Sequence, residues 1–226
     1  MRIGASILLD GDRCLQSHGW TYFRPVGSIS AAFQYYNERM VDEIFVVGIS
    51  GKNQSETPAL ENARILSLNQ IATPVIFGGG IHLDNIDEII SMASCDRYSI
   101  SSCLIEGDET LANHISLIVG RQALVGCIPY RKDGSDFKFF NTDKTLWVNR
   151  TAKEIESIYD LCDEIILYDT DHDGHANGYN FDILDAYEVD ISRTIICGGV
   201  GEKEIKLAEQ YELAAAYIEN RHLHDE

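Results

Sequence analysis

Two stretches of this chain recur half a chain further on, and that recurrence limits what it can fold into. Residues 41–47, Val-Asp-Glu-Ile-Phe-Val-Val, return at 162–168 as Cys-Asp-Glu-Ile-Ile-Leu-Tyr, an offset of 121. Residues 75–80, Val-Ile-Phe-Gly-Gly-Gly, return at 195–200 as Ile-Ile-Cys-Gly-Gly-Val, an offset of 120. Each is a short apolar run of strand length, and polar or glycine-rich loop residues follow it. Two echoes at nearly one spacing imply a duplicated half, with half-chains of about 1–120 and 121–226 within one domain spanning 1–226.

Apolar patterning between the echoes predicts strands over 2–9, 44–49, 74–77, 97–100, 124–128, 165–168, 194–197 and 214–218. Helical spacing predicts helices over 30–39, 59–70, 84–92 (with Asp84 as the cap), 109–119, 151–161, 181–187 and 202–210. A short strand at 14–16 and a small β excursion within 133–147 complete the pattern, while 18–27 and the polar 50–55 read as loops. Eight strands alternating with helices favour a (β/α)8 TIM barrel over an open doubly wound sheet.

Composition removes several classes of function. A formal net charge of −18 leaves no basic stripe to neutralise nucleic acid. It leaves phosphorylated small molecules possible, since backbone N–H groups at helix starts can hold them. No apolar run approaches the roughly 18–20 residues that span a bilayer. Six cysteines without a Cys-x-x-Cys spacing fit buried free thiols in the cytoplasm.

In a barrel of this kind chemistry sits on the loops that follow the strands. Those loops carry Asp10, Gly78–Gly80, Ser101-Ser102, 171–177 and Gly198-Gly199. The two glycine clusters, with Ser101 and Ser102 as extra donors, imply two phosphate sites related by a pseudo-twofold axis. The plainer alternative is that the glycines only make tight strand-to-helix turns. Asp169-x-Asp171-x-Asp173-Gly174 matches the start of a calcium loop, but Asn180 stands at its twelfth position and a strand precedes it. No metal and no cofactor is expected, and His172 and His175 read as exposed loop histidines. Nothing resembles a Ser-His-Asp set.

Certain stretches carry a family likeness: Arg2-Ile3, Val41-Asp42-Glu43-Ile44, Gly78-Gly79-Gly80-Ile81-His82, Asp96-Arg97-Tyr98-Ser99-Ile100, Asp171-His172-Asp173-Gly174 with Gly178-Tyr179, and Cys197-Gly198-Gly199. Through them the chain resembles the cyclase subunit of imidazole glycerol phosphate synthase along almost its whole length. The resemblance implies a (β/α)8 barrel built from duplicated half-barrels. It also implies a glutaminase partner of the class I amidotransferase type, docked on the N-terminal barrel face and feeding ammonia through the core. One phosphate site then falls to Gly79, Gly80, Ser101 and Ser102, and the other to Asp173, Gly174, Gly198 and Gly199. The family's charged ammonia gate maps onto Arg2, Glu43, Arg97 and Glu164. A salt-bridged plug that merely stabilises the barrel floor is the alternative for those four.

The departures from the family bear on function. Leu8 and Pro129 stand where the family has its two catalytic aspartates, and neither side chain transfers a proton. Gln16 replaces a lysine, Gly48 an aspartate, and Glu219 a strand-eight serine, where a carboxylate would repel phosphate. The chain further resembles cyclase-like proteins encoded with surface-polysaccharide genes, in Ile7-Leu8-Leu9 and in 33–44. That likeness implies an ammonia conduit serving a separate sugar amidotransferase, with the catalytic residues of the barrel itself unknown. A true histidine-pathway cyclase, an enzyme of new specificity using Asp10, Asp171 and Asp173, and a non-catalytic phosphate-binding scaffold stay open beside it.

Overall fold

The computed structural model describes residues 1–49, 58–69, 71–93, 95–175 and 178–219. The chain opens with β1 (Arg2–Asp10), then a hairpin of β2 (Arg13–His18) and β3 (Tyr22–Ser28), then α1 (Ile29–Glu38). The next units are β4 (Glu43–Gly48) with α2 (Pro58–Leu68), and β5 (Val75–Gly78) with α3 (Ile86–Met92). After β6 (Arg97–Ile100) come two helices, α4 (Ser102–Glu106) and α5 (Thr110–Val119). The second half runs through β7 (Leu124–Asp133), β8 (Asp136–Asn141), β9 (Leu146–Val148) and α6 (Ala152–Leu161). It closes with β10 (Glu164–Asp169), α7 (Asp182–Ala186), β11 (Thr194–Cys197), α8 (Glu202–Gln210) and β12 (Ala215–Glu219).

Parallel ladders join β1, β4, β5, β6, β7, β10, β11 and β12 in that order, and β12 pairs back onto β1 through Arg2↔Ala215 to Ser6↔Glu219. The sheet is therefore a closed (β/α)8 barrel, as expected. Closure leaves the eight barrel strands without a free edge, and strand alternation then divides the apolar residues into two cores. Phe45, Ile76, Val125, Ile166, Ile195 and Tyr217 fill the lumen. Ile44, Val46, Ile7, Ile128 and Leu167 point outward under the helices.

Several boundaries depart from the sequence reading. Residues 18–27 form most of a hairpin rather than a loop. β3 is largely exposed, so its sequence carries no apolar alternation, and Pro25 faces Leu15 where the ladder shifts register. An edge strand tolerates such a proline because the lost N–H was not needed for a second ladder. Helix α3 starts at Ile86 instead of after Asp84. Asn85 braces the preceding loop instead, accepting from His82 N at 2.9 Å and donating to Gly80 O at 2.9 Å. The short helix α4 follows β6 directly, and β7 extends five residues past the predicted Ile128. By contrast Thr151 caps α6 in a full capping box with Glu154. The polar 50–55, the helix end at 70 and residues 176–177 of the loop after β10 lie outside the described residues.

The ladders also correct the glycine echo. Val46 pairs with Phe77 and Val47 with Gly78, while Leu167 pairs with Ile196 and Tyr168 with Cys197. Taking 46 with 167 makes Phe77 the counterpart of Ile196, an offset of 119 rather than 120. Backbone angles agree: Gly79 and Gly80 have φ of +95° and +70°, and Gly198 and Gly199 +95° and +74°. Gly79 and Gly198 have a shared steric reason to be glycine. A Cβ on Gly79 would lie 2.0 Å from Gly48 O, and one on Gly198 2.1 Å from Asp169 O.

Gly79→Ala is accordingly expected to lower stability by more than about 2 kcal/mol, since it adds a backbone clash to a left-handed φ. Gly134→Ala, at φ +67° with nothing within 4 Å of its added carbon, should lose only about 1–2 kcal/mol. Urea unfolding of both variants checks the pair.

Candidate functional site

At the barrel floor the first residues of four strands meet. Arg2 Nε donates to Glu43 Oε1 at 2.8 Å, and its terminal nitrogen reaches both Glu164 oxygens at 2.7 Å. Arg97 donates to Glu164 Oε2 at 2.6 Å and lies 3.7 Å from Glu43 Oε2, which closes a ring of alternating charge. Tyr217 donates its hydroxyl to Glu43 Oε1 at 2.9 Å, and Gly4 makes room for that ring, since a Cβ there would sit 2.5 Å from it. The structure thus brings together all four residues of the predicted gate. Burial alone would raise the Glu164 carboxyl, but the Arg2 and Arg97 guanidinium groups outweigh it and hold it below the usual carboxylate range.

At the opposite end, past the strand C-termini, a cavity of about 440 Å³ opens. Leu8 and Pro129 both line it. They hold matching places in the two halves, Leu8 pairing with Val47 and Pro129 with Tyr168. Gly79, Gly80, Ser101 and Ser102 line the same cavity, so the first predicted phosphate cluster converges on it. The buried hydroxyl oxygens of Ser99 and Ser101 take no hydrogen bond among the described residues. Ser102 is engaged by the turn between β8 and β9, its Oγ 2.7 Å from Thr142 Oγ1 and accepting from Asp143 N at 3.2 Å.

Sequence reasoning missed part of this mouth. Trp20 and Phe23 reach it from the β2–β3 hairpin, and Phe45 and Val47 rise from β4. Trp20 packs edge-on against Tyr168 with ring centroids 5.1 Å apart, and its indole N–H lacks an acceptor among the described residues. His82 and Asp143 stand at the rim 3.9 Å apart, both about half exposed. His82 was visible in the Gly-Gly-Gly-Ile-His motif; Asp143 had no local signal. Burial pushes the Cys127 and Cys103 thiols in the lining up to about 12, so both stay protonated at neutral pH.

The second predicted phosphate cluster is arranged differently. Gly174 N donates to Glu219 Oε2 at 2.8 Å and Gly199 N donates to Glu219 Oε1 at 2.5 Å. Asp173 sits beside this carboxylate and accepts from the Tyr168 hydroxyl at 2.9 Å through Oδ1. Its Oδ2 is buried and has no hydrogen-bond partner among the described residues. Burial and the facing Asp173 charge push the Glu219 carboxyl up to about 8, and burial likewise raises Asp173. Only about 10 Å³ of free space remains between Ser6, Leu15, Asp173 and Glu219.

The remaining candidates are held in internal hydrogen bonds. Asp10 accepts from Arg13 at 2.8 Å across a turn, and Gln16 Oε1 accepts from Arg24 Nε at 2.8 Å. Asp169 gathers the loop after β10, accepting from the backbone of Asp171, His172 and Asn180 and meeting His172 Nδ1 at 2.7 Å. Asp171 accepts from Lys132 N at 3.1 Å, and His175 Nδ1 lies 2.9 Å from Asp173 O. A Cβ on Gly48 would lie 2.6 Å from the Asn62 amide nitrogen, so this strand end has no room for a carboxylate as it stands.

The sequence that builds this barrel matches, over residues 2–226, the family described as histidine biosynthesis protein. The chain belongs to that family. Among its relatives is the protein named "Putative imidazole glycerol phosphate synthase subunit hisF2" of Parasynechococcus marenigrum, 28% identical over 75% of this chain and 63% of the relative. The match therefore spans under two thirds of that relative's length. The imidazole glycerol phosphate synthase subunit HisF of Chlorobium phaeobacteroides is 27% identical, covering 90% of this chain and 81% of its own. A hisF2 relative carrying the same printed name in Campylobacter jejuni is 25% identical over 88% and 79%. Among the described residues no helix is long and apolar enough to cross a membrane.

The buried pair gives a pH dependence of known sign. A free glutamate titrates near 4.5 and folded Glu219 near 8, so between those values the folded state holds a proton that the unfolded state has released. Stability should fall as pH rises through that window, by up to about 1.4 kcal/mol per pH unit. Glu219→Gln should flatten the decline when urea unfolding is followed at several pH values from 5 to 8.

Proposed function

We propose that this chain is the barrel subunit of a glutamine amidotransferase complex, that it conducts ammonia, and that it does not cyclise the family's substrate. The observation that carries the reading is the contrast between the two ends of the barrel. The floor keeps a complete ring of Arg2, Glu43, Arg97 and Glu164, while Leu8 and Pro129 occupy matched places in the mouth. Cyclisation needs an acid and a base aimed at the substrate, and these two side chains move no proton.

The lumen between floor and mouth suits the smaller task. Phe45, Ile76, Val125, Ile166 and Ile195 line it with apolar surface. Such a layer admits neutral ammonia far more readily than ammonium, whose charge would have to shed its water. A glutaminase docked on the N-terminal face would release ammonia next to the ring, and movement of Arg97 or Arg2 would open the floor. The relatives named as synthase subunits support assembly with a partner. The likeness to proteins encoded with surface-polysaccharide genes supports a sugar amidotransferase as the downstream acceptor. Six free cysteines, four of them buried, suit a reducing cytoplasm.

Two measurements test the reading. With saturating ammonium at alkaline pH, which bypasses any glutaminase, the protein should not turn over the family's phosphorylated ribulosyl substrate; turnover would make it a cyclase. Added to a glutaminase subunit of the class I amidotransferase type, it should raise glutamine hydrolysis about tenfold or more, equivalent to about 1.4 kcal/mol of barrier. Arg97→Met should alter how much of that ammonia reaches an acceptor while hydrolysis continues. Absence of any stimulation would sink the conduit and leave a scaffold.

A further inference from the structure

The two halves of the barrel place equivalent residues at equivalent points, and at one such point they part company. Ala5 pairs with Ile218, and Gly126, its counterpart in the second half, pairs with Ile100. Ile100 and Ile218 are thus matched, and so are the residues that follow them, Ser101 and Glu219. Gly80 and Gly199 are matched in the same way, with φ of +70° and +74°. In the first half Ser101 and Gly80 both line the 440 Å³ cavity, and the Ser101 hydroxyl oxygen has no hydrogen-bond partner among the described residues. In the second half Glu219 accepts the Gly174 and Gly199 N–H groups, one on each oxygen.

We propose that Glu219 is a permanent internal occupant of the second anion seat, so that the barrel mouth takes a ligand with one anionic end and rejects one with two. Both seats are built from the same backbone turn. What differs is a side chain long enough to reach the N–H donors from the neighbouring strand end. Glu219 makes the two contacts a phosphate oxygen pair would make, without the entropy loss of binding a free ligand. An incoming phosphate would have to displace it and meet the Asp173–Glu219 charge in a space of about 10 Å³. The other end of the ligand faces Trp20, Phe45, Val47 and Pro129, which fits a small monophosphate with an apolar or neutral body. The class of ligand rests on the first seat being a phosphate site; the occupancy of the second does not.

Inorganic phosphate is the probe, followed by backbone amide NMR and by calorimetry on the full chain. In the wild type the Gly174 and Gly199 amide signals should stay fixed as phosphate is added. In Glu219→Ser the same two signals should become phosphate-dependent, and the number of phosphates bound per chain should rise by one. Saturable movement of Gly174 and Gly199 in the wild type would overturn the proposal, and that result needs no variant to fold. A folded Glu219→Ser protein in which they stay fixed would overturn it too. Failure of the first-seat reading shows separately, as fixed Gly80 and Ser101 signals in both proteins.

Discussion

The parallel ladder between β7 and β10, from Glu164↔Val125 to Asp169↔Tyr130, is the join on which the rest depends. It ties the first strand of the second half to the next, while β6–β7 and β12–β1 tie the halves to each other. Once the sheet closes, each strand must present every second side chain to a lumen that water does not fill. The positions of Glu43, Phe45 and Val47 along β4 then become three levels of one interior: charged floor, apolar middle and mouth. The same holds for Glu164, Ile166 and Tyr168 on β10.

Charge at the lowest level is stable only because it is arranged as a ring. Glu43 and Glu164 are 5% and 8% exposed, so each would be costly alone. Arg2 and Arg97 answer both, and Tyr217 supplies Glu43 with a further donor. The arginines remain closer to solvent than their partners, with Arg2 side-chain exposure at 39%. An ion cluster that is buried on one side and wet on the other can rearrange without dismantling the lumen above it. That property is what a gate would need, and an apolar plug would lack it.

The mouth shows how a symmetric scaffold becomes asymmetric. Gly79 and Gly198 repeat because each lies against the backbone of the preceding barrel strand, at Gly48 and Asp169. Nothing steric demands that the residues after Ile100 and Ile218 be alike, and there the chain carries serine on one side and glutamate on the other. One seat stays beside an open cavity, and the other is satisfied from within. The cost of burying Glu219 beside Asp173 appears as a carboxyl pushed up to about 8, while its two backbone hydrogen bonds offset part of that cost.

Much of this was legible from residue order. The strand–helix alternation and the repeat near 121 are local patterns, because a buried parallel strand writes its apolar run into consecutive positions, and the family resemblance then pointed to Arg2, Glu43, Arg97 and Glu164. Two things were not. The exposed strand β3, with Pro25 inside it, has no apolar period to read, so Trp20 and Phe23 could not be placed at the mouth. The contact of Glu219 with Gly174 and Gly199 joins residues 45 and 20 positions apart, and no local pattern encodes it. The sequence alone determined the barrel, through the alternation of eight strands with helices, and its family resemblance marked the four charged residues of the floor. Only the tertiary structure decided which turns face an open cavity and which are filled by the protein's own carboxylate, because that depends on the stagger between neighbouring strand ends.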